Sequence, residues 1–325
     1  MSFKVIRYNS EIDKLKWNEF LAVAKNSTFL LDRNFMDYHS DRFTDHSLLI
    51  YDEKDNLLAC FPANQSSEVE VWSHQGLTYG GFIIKADAKL PVHLEVYKSI
   101  LQYYNQLGIQ TIRYKAFPRF YNDLQTDEIE YCLFLSQAKL YRRDTALAID
   151  RENRIAYSGN IRREAKKATK EGVEICMESD VTGFWNNVLT PNLQERFGVN
   201  PVHSTEEMTL LKSRFPEKIK LFTAKNAEGE ILAGTAMFEM KNVAHCQYIS
   251  ATDEGRKSGA LNLLFTTLLD EYFLDKRFFD FGIANENDGK EMNHGLLAWK
   301  ERMGGRTYSH DFYLIETDNY KLLNQ

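Results

Sequence analysis

The stretch that decides the reading runs Gln247-Tyr248-Ile249-Ser250-Ala251-Thr252-Asp253-Glu254-Gly255-Arg256-Lys257-Ser258-Gly259-Ala260. Before it, residues 243–250 read as a strand; after it, residues 258–273 place apolar side chains at helical spacing. A strand that turns through glycines into a helix presents unpaired N–H groups at the positive end of the helix dipole. Gly255 and Gly259 would let a bulky anion approach the backbone, and Arg256 and Lys257 add positive charge. A pyrophosphate suits such a turn. The competing reading is an ordinary glycine-rich helix entry with both cations in solvent. The spacing matches neither G-x-x-x-x-G-K-[ST] nor G-x-G-x-x-G.

Working outward, helical and strand periods alternate along the whole chain. In the second half, residues 181–195 and 205–214 read as helices. Residues 219–224 and 231–240 read as strands around a turn at 225–230, and 243–250 as a third. A helix over 258–273, a strand over 277–282, a helix over 292–303 and a strand over 306–315 complete the order. The first half follows a similar order: a helix over 11–25, strands over 47–51 and 57–63 around a turn at 52–56, and a strand over 69–72. A helix over 90–107 closed by Gly108 comes next, then a strand over 109–114, a helix over 127–137 and a strand over 140–149. Such a repeated order of elements is what a duplicated domain leaves behind. The expected architecture is α/β, two tandem domains over residues 1–150 and 151–325, each a mixed sheet flanked by helices.

Composition narrows the function classes. Lys plus Arg number 40 against 46 Asp plus Glu, a net charge of −6, and each half carries about −3, so a protein that coats nucleic acid is not expected. No apolar run approaches the ~18 residues that span a bilayer, and the N-terminal residues lack a signal-peptide core. Cys60, Cys132, Cys176 and Cys246 are scattered without a CxxC pair, which fits a reducing cytoplasm and excludes a zinc ribbon. No histidine or cysteine cluster has metal spacing, so no catalytic metal is expected. The exception to even charge is residues 151–172, with Arg151, Arg154, Arg162, Arg163, Lys166, Lys167 and Lys170. Residues 160–170 read as a helix with a basic face, either a solvated surface or a landing strip for phosphates in which Arg162 takes part.

Arg256-Lys257-Ser258-Gly259 between strand and helix resembles the acyl-CoA pyrophosphate loop of the GNAT superfamily of N-acyltransferases, commonly Q/R-x-x-G-x-G/A. Leu261 stands at the last position of that pattern, with Ala260 one place early. Phe279-Asp280-Phe281-Gly282-Ile283, followed by Gly295-Leu296-Leu297-Ala298-Trp299-Lys300-Glu301-Arg302-Met303-Gly304-Gly305, resembles a conserved region of the Fem-like branch. The segment from Asn160 to Lys167, ahead of Gly172-Val173-Glu174-Ile175, resembles the edge of the second Fem-like domain. The resemblance implies two GNAT-type domains in tandem. No long helical arm is inserted, unlike in the peptidyl transferases that bind aminoacyl-tRNA. That favours the acyl-CoA type, often met near bacterial surface-polysaccharide genes.

The resemblance also implies roles. Gly255, Arg256, Lys257, Ser258, Gly259, Ala260 and the backbone of Ile249 would hold the acyl-CoA. The N–H of Ile249 or Ser250 would serve the oxyanion, and Tyr248 would face the reacting centre or sit half-buried in the core. Asp253, Glu254 and Glu286 are candidate bases; the first two are alternatively solvated carboxylates, and Asn285-Glu286-Asn287-Asp288 is alternatively a helix cap. Lys300, at the Fem-like lysine position, would contact phosphate or carbonyl oxygen, or stay solvated. His294 is an acid–base candidate by residue type, with a structural role as the alternative. No covalent intermediate is needed, in keeping with the absence of a G-x-S-x-G nucleophile motif.

In the first half, Ser73-His74-Gln75-Gly76-Leu77-Thr78-Tyr79-Gly80-Gly81 is rich in glycine and hydrogen-bonding groups. It is either a grip for a sugar or nucleotide, with His74 and Tyr79 reading the ligand, or a turn into the next strand. By analogy with Fem-like first domains, Arg33 and Asn34 would bind acceptor phosphate. The leading expectation is a cytoplasmic N-acyltransferase that uses acetyl-CoA or another acyl-CoA. Its small-molecule acceptor would be a nucleotide-linked amino sugar or a cell-envelope precursor. The alternatives are a Fem-like aminoacyl-tRNA-dependent transferase and a non-catalytic GNAT scaffold.

Overall fold

A computed structural model describes residues 3–124 and 126–324. The chain divides into two units, Met1–Asp144 with Ser309–Gln325, and Thr145–Tyr308. It passes between them within the strands Lys139–Asp150 and Arg306–Glu316. The division differs from a cut at 150/151 because the C-terminal segment returns to the first unit. There Phe312–Glu316 pairs antiparallel with Thr111–Lys115, and the Thr317 hydroxyl donates to the Ile109 carbonyl at 2.7 Å.

The first unit holds an antiparallel four-stranded sheet ordered Lys4–Arg7, Leu48–Tyr51, Leu57–Phe61, Ile83–Ile84. A second set of strands runs Arg306–Glu316, Thr111–Lys115, Glu70–Trp72, Asn64–Ser67, Thr44–Asp45. The helix Leu90–Gln106 starts with a proline in its first turn, where the missing N–H costs nothing. It buries Val96, Tyr97, Ile100, Leu101 and Tyr104 against Ile50, Phe61 and Ile112, one apolar stripe at helical spacing.

The second unit orders its strands Glu174–Glu178, Ile219–Lys225, Ile231–Glu239, Val243–Ala251, Phe278–Ile283, Lys139–Asp150. All neighbours are antiparallel except Val243–Ala251 with Phe278–Ile283, which is parallel. The helices Gly159–Lys170 and Ala260–Thr267 cover one face, where Ile161, Ala168, Leu264 and Phe265 pack on Phe222, Ala233, Ala244 and Cys246. Alternation along the strands turns Gly234 to the other face, where the Phe184 ring stands so close that a Cβ would meet it at 2.4 Å. That face is covered by the helical run Thr182–Phe184, Trp185–Leu189, Thr190–Phe197. Its middle turn is π-helical, directly before Pro191, because proline supplies no N–H and crowds the carbonyl four residues back. Thr205–Arg214 follows, its Ser204 and Glu207 closing a reciprocal cap.

Candidate functional site

The parallel pair of the second unit is short. Val243 faces Phe278, Ala244 faces Phe279 and His245 faces Asp280, and among the described residues the register stops there. Beyond that point residues 246–251 keep their antiparallel neighbour Ile231–Glu239 and lose the parallel one. Alternate N–H and C=O groups of this segment therefore line an open strand edge. Two features part the strands. Cys246 pairs with Met237 and Tyr248 with Ala236, so Gln247 is one residue too many and bends the strand. On the other strand Gly282 adopts a left-handed φ of 72°. Its N–H donates to Asp280 Oδ1 at 2.7 Å, and its carbonyl accepts from Lys300 Nζ at 3.0 Å.

Lys300 is 2% exposed and also donates to the Ile283 carbonyl at 2.7 Å. Burial pushes its ammonium down to about 8, against the pull of Asp280 and Cys246. It is not solvated, and its two backbone carbonyls make it a brace for the end of the parting strand rather than a phosphate ligand. Asp280 Oδ2 lies 2.8 Å from His245 Nδ1, both buried, at the last paired rung.

The candidate anion loop begins earlier than the sequence spacing suggests. Thr252 caps a helix over Asp253–Ser258, accepting the Gly255 N–H at 3.0 Å. Gly259, at φ 84°, then hinges into Ala260–Thr267. The two glycines serve contacts within the protein. A Cβ on Gly255 would lie 2.0 Å from the Leu232 carbonyl oxygen, and one on Gly259 2.5 Å from that of Glu164. Arg256 folds back onto the Ala251 carbonyl, the Asp253 carboxylate and, at 3.4 Å, Asn192 Oδ1. Lys257 is exposed, and its carbonyl accepts from Lys167 Nζ at 3.3 Å. The basic helix thus flanks the loop, with Arg162, Arg163, Lys166 and Lys170 also exposed; Arg162 lies 5.3 Å over the Tyr157 ring. Ser258 donates to the Gly255 carbonyl at 3.4 Å, and Ala260 is buried. Glu164 accepts from Asn262, whose Oδ1 accepts the Trp299 indole N–H at 2.9 Å, tying loop, basic helix and last helix together.

The candidate acid–base groups fare differently. Asp253 is held below the usual carboxylate range by the Arg256 hydrogen bond, so it makes a poor base at neutral pH. Glu286 is exposed on the hairpin Asn285–Glu286 with Glu291–Met292 and accepts from Asn293 Nδ2 at 2.8 Å. Asn293, not the 285–288 segment, caps the helix His294–Arg302 by accepting the Leu296 N–H at 3.0 Å. His294 opens that helix, exposed. Ser250 is buried, its hydroxyl 3.4 Å from the Val188 carbonyl. Tyr248 is half-buried, with its oxygen 2.7 Å from Nδ1 of His203. No sequence motif singles out His203.

Of the four first-unit candidates, Arg33, His74 and Tyr79 are enclosed by the protein and Asn34 is exposed. Arg33 is 1% exposed, paired with Asp45 at 2.5 Å and stacked 3.5 Å over Tyr8; a guanidinium so enclosed does not meet an acceptor phosphate. Asn34 is exposed beside it, its N–H on Asp32 Oδ1 at 2.7 Å. His74 and Tyr79 are 4% and 1% exposed and read no ligand. Burial keeps His74 uncharged, well below the usual imidazole range. The Tyr79 oxygen lies 2.9 Å from the Thr28 hydroxyl. The loop folds inward because Lys115 Nζ donates to the Gln75 and Leu77 carbonyls at 2.9 and 2.7 Å.

Among the described residues no three His, Cys, Asp or Glu side chains gather into a metal-holding group. No helix there is long and apolar enough to cross a membrane.

Residues 156–301 match the family model of the GNAT acetyltransferase domain. No curated protein matches the chain. Among solved structures, FemX superposes with a TM-score of 0.68 at 11% identity, covering 99% of this chain and 100% of its own. L-PGS from Bacillus licheniformis gives 0.59 at 13% identity, covering 98% of each chain. A tandem GNAT protein from the clavulanic acid biosynthesis pathway gives 0.52 at 11%, covering 97% of this chain and 99% of its own. Residues 156–301 are thus similar to a GNAT acetyltransferase domain, and the chain shares the fold of FemX and of the tandem GNAT protein.

Proposed function

We propose that the second unit transfers an acyl group from a thioester carrier to an amine, with an acyl-CoA as donor. The observation that carries this reading is the parting of the strands after the His245–Asp280 rung, directly ahead of the Thr252-capped loop. An extended amide-bearing arm would hydrogen-bond along the open edge of residues 246–251. Its diphosphate would lie at the start of the Asp253–Ser258 helix, at the backbone N–H groups other than that of Gly255, near Lys257 and Lys167, with Arg256 swinging from Asp253 to meet it. Holding thioester and amine together supplies about 7–11 kcal/mol in favourable cases. A backbone N–H of Ile249 or Ser250 on the open edge would receive the developing oxyanion.

The acceptor we infer is a small amine, a nucleotide-linked amino sugar or an envelope precursor. The test is calorimetry with acetyl-CoA. Saturable binding by the wild type, weakened at least about tenfold in Arg256→Ala, supports the reading; a charged-guanidinium contact to phosphate is of that size. A second reading rests on the exposed basic strip of Arg162, Arg163, Lys166, Lys170 and Lys257, which would also suit the longer polyanion of an aminoacyl-tRNA. Binding of charged tRNA that falls steeply with salt, without acetyl-CoA binding, would favour it. Turnover of any acyl-CoA with any amine in a panel excludes a non-catalytic scaffold.

A further inference from the structure

The open edge has two faces, and only one admits an amine. On the Ala260–Thr267 face, Ala244, Cys246 and Ala251 are buried with Phe265 and Phe281, and Ile249 and Trp299 pack on them. The Phe265 and Trp299 rings meet edge to face at 5.0 Å. That side is closed by apolar packing. The opposite side carries Tyr248, half-buried and one residue past the Gln247 bulge.

Tyr248 is held by one neighbour from two directions. Its oxygen accepts the backbone N–H of His203 at 3.1 Å and lies 2.7 Å from Nδ1 of the same residue. In the Nε2–H tautomer of His203 the phenol donates to Nδ1. His203 is itself fixed, since its carbonyl accepts the Trp185 indole N–H at 3.0 Å and its ring is buried. The Trp185 ring stands edge-on to Tyr248 at 5.1 Å. These contacts pre-orient a phenol whose conjugate base would keep a hydrogen bond from the backbone and gain one from a protonated imidazole.

We propose that Tyr248 and His203 form the proton relay of the transfer, with Tyr248 as the group that touches the amine and His203 as its positioning residue. The inference rests on the acyltransferase reading and names the base that reading leaves open. The amine nitrogen attacks the thioester carbon and the C–N bond forms. One proton of the resulting ammonium passes to Tyr248 Oη as the phenol proton passes to His203 Nδ1. The C–S bond breaks, and the departing thiolate takes a proton from Tyr248 Oη, which recovers its own from His203. The products are an amide and a free thiol, and both side chains end as they began.

The elements next to His203 carry the following titratable groups. Strand Val243–Ala251 presents Tyr248 and, three residues earlier, His245 on Asp280. The helix Thr205–Arg214 begins with Glu206 and Glu207, both held on Ser204, at 2.8 and 2.9 Å. Thr190–Phe197 carries Glu195 and Arg196, both exposed.

The experiment compares wild type, Tyr248→Phe, His203→Asn and His203→Gln. The readouts are acetyl-CoA affinity, kcat and KM for a responsive amine, and the pH profile of kcat/KM. The asparagine keeps an acceptor near the place of Nδ1 and cannot take up a proton. In His203→Asn we expect affinity and KM within about twofold and kcat lower by about 100-fold, the usual size of acid–base assistance. The acid limb of the pH profile should disappear. Tyr248→Phe should lose as much. A His203→Asn enzyme with wild-type kcat and an unchanged acid limb overturns the relay while leaving the acyltransferase reading intact. A wild type that neither binds nor turns over the thioester overturns both. Should the asparagine variant not fold, Nδ1 of His203 is read by nitrogen NMR in wild type and Tyr248→Phe: a hydrogen-bonded acceptor that shifts on losing the phenol is expected, and no shift overturns the relay.

Discussion

Lys300 Nζ donates to the carbonyl of Gly282 at 3.0 Å, one residue before its second acceptor, Ile283. A buried cation therefore braces the strand end that has turned away from Val243–Ala251. Lys300→Met would leave two part-buried carbonyls without this donor, at about 1–2 kcal/mol each since solvent partly reaches them, partly offset by relief of a buried charge. The net expectation is a loss of about 1–3 kcal/mol in urea stability of the second unit. The sign of the pH effect follows from the free amine being favoured inside. With the folded value about 8 and the ordinary value 10.5, the unfolded chain binds more protons between them, so this lysine's contribution to stability rises with pH over that window. The gap between wild type and variant should widen from neutral pH toward pH about 10. A constant gap would show that the ammonium is not under burial strain.

The loop glycines make a second case. Gly259 combines φ 84° with the Glu164 carbonyl 2.5 Å from any added Cβ. Gly108 has a similar φ of 81° and nothing within 4 Å. Gly108→Ala should cost about 1 kcal/mol, the backbone term alone. Gly259→Ala should cost about 2–4 kcal/mol, because the basic helix must move as well. Urea midpoints of the two variants decide it; equal losses would mean that the Glu164 contact is soft.

How much of this was legible in sequence follows from the range of each interaction. The helix Thr205–Arg214 and the strands around the 225–230 turn read correctly, since periodicity and caps are local. The helix expected to begin at 258 begins at Ala260, behind a separate short helix Asp253–Ser258; Thr252 followed by two acids is the start of that short helix, which the glycines masked. Gly255 and Gly259 looked like anion-facing positions because their partners, Leu232 and Glu164, are distant in sequence. His203 meets Tyr248 across 45 residues, and no local pattern announces such a pair. Arg33 and His74 are polar residues in a polar-looking context, and the buried partners that enclose them come from other elements.

Asp253 competes with any incoming anion. It neutralises Arg256 and adds a carboxylate to the first turn of the loop helix. Asp253→Asn should therefore tighten acetyl-CoA binding by about threefold at low salt, the size of an exposed ion pair. The gain should shrink as salt screens it. Calorimetry at two ionic strengths measures this. Weaker binding in the variant would mean that Asp253 holds Arg256 in the ligand-ready pose.

Acid should weaken the first unit selectively through its buried imidazoles. Burial pushes His39 from 6.5 down to about 4 and holds His93 well below its ordinary value, with Lys25 adding to the effect. As pH falls from 6.5 toward 4 the unfolded chain takes up these protons first, so stability present above 6.5 is lost across the window. For His39 the full loss is on the order of 3 kcal/mol. Hydrogen exchange followed separately over each unit should show protection in the core around Leu48, Phe61 and Ile112 falling as pH drops from 6.5 to about 4, after correction for the intrinsic exchange rate. In His93→Phe the fall should be shallower. A first-unit core whose corrected protection stays flat over that range would mean that these rings reach solvent before they charge.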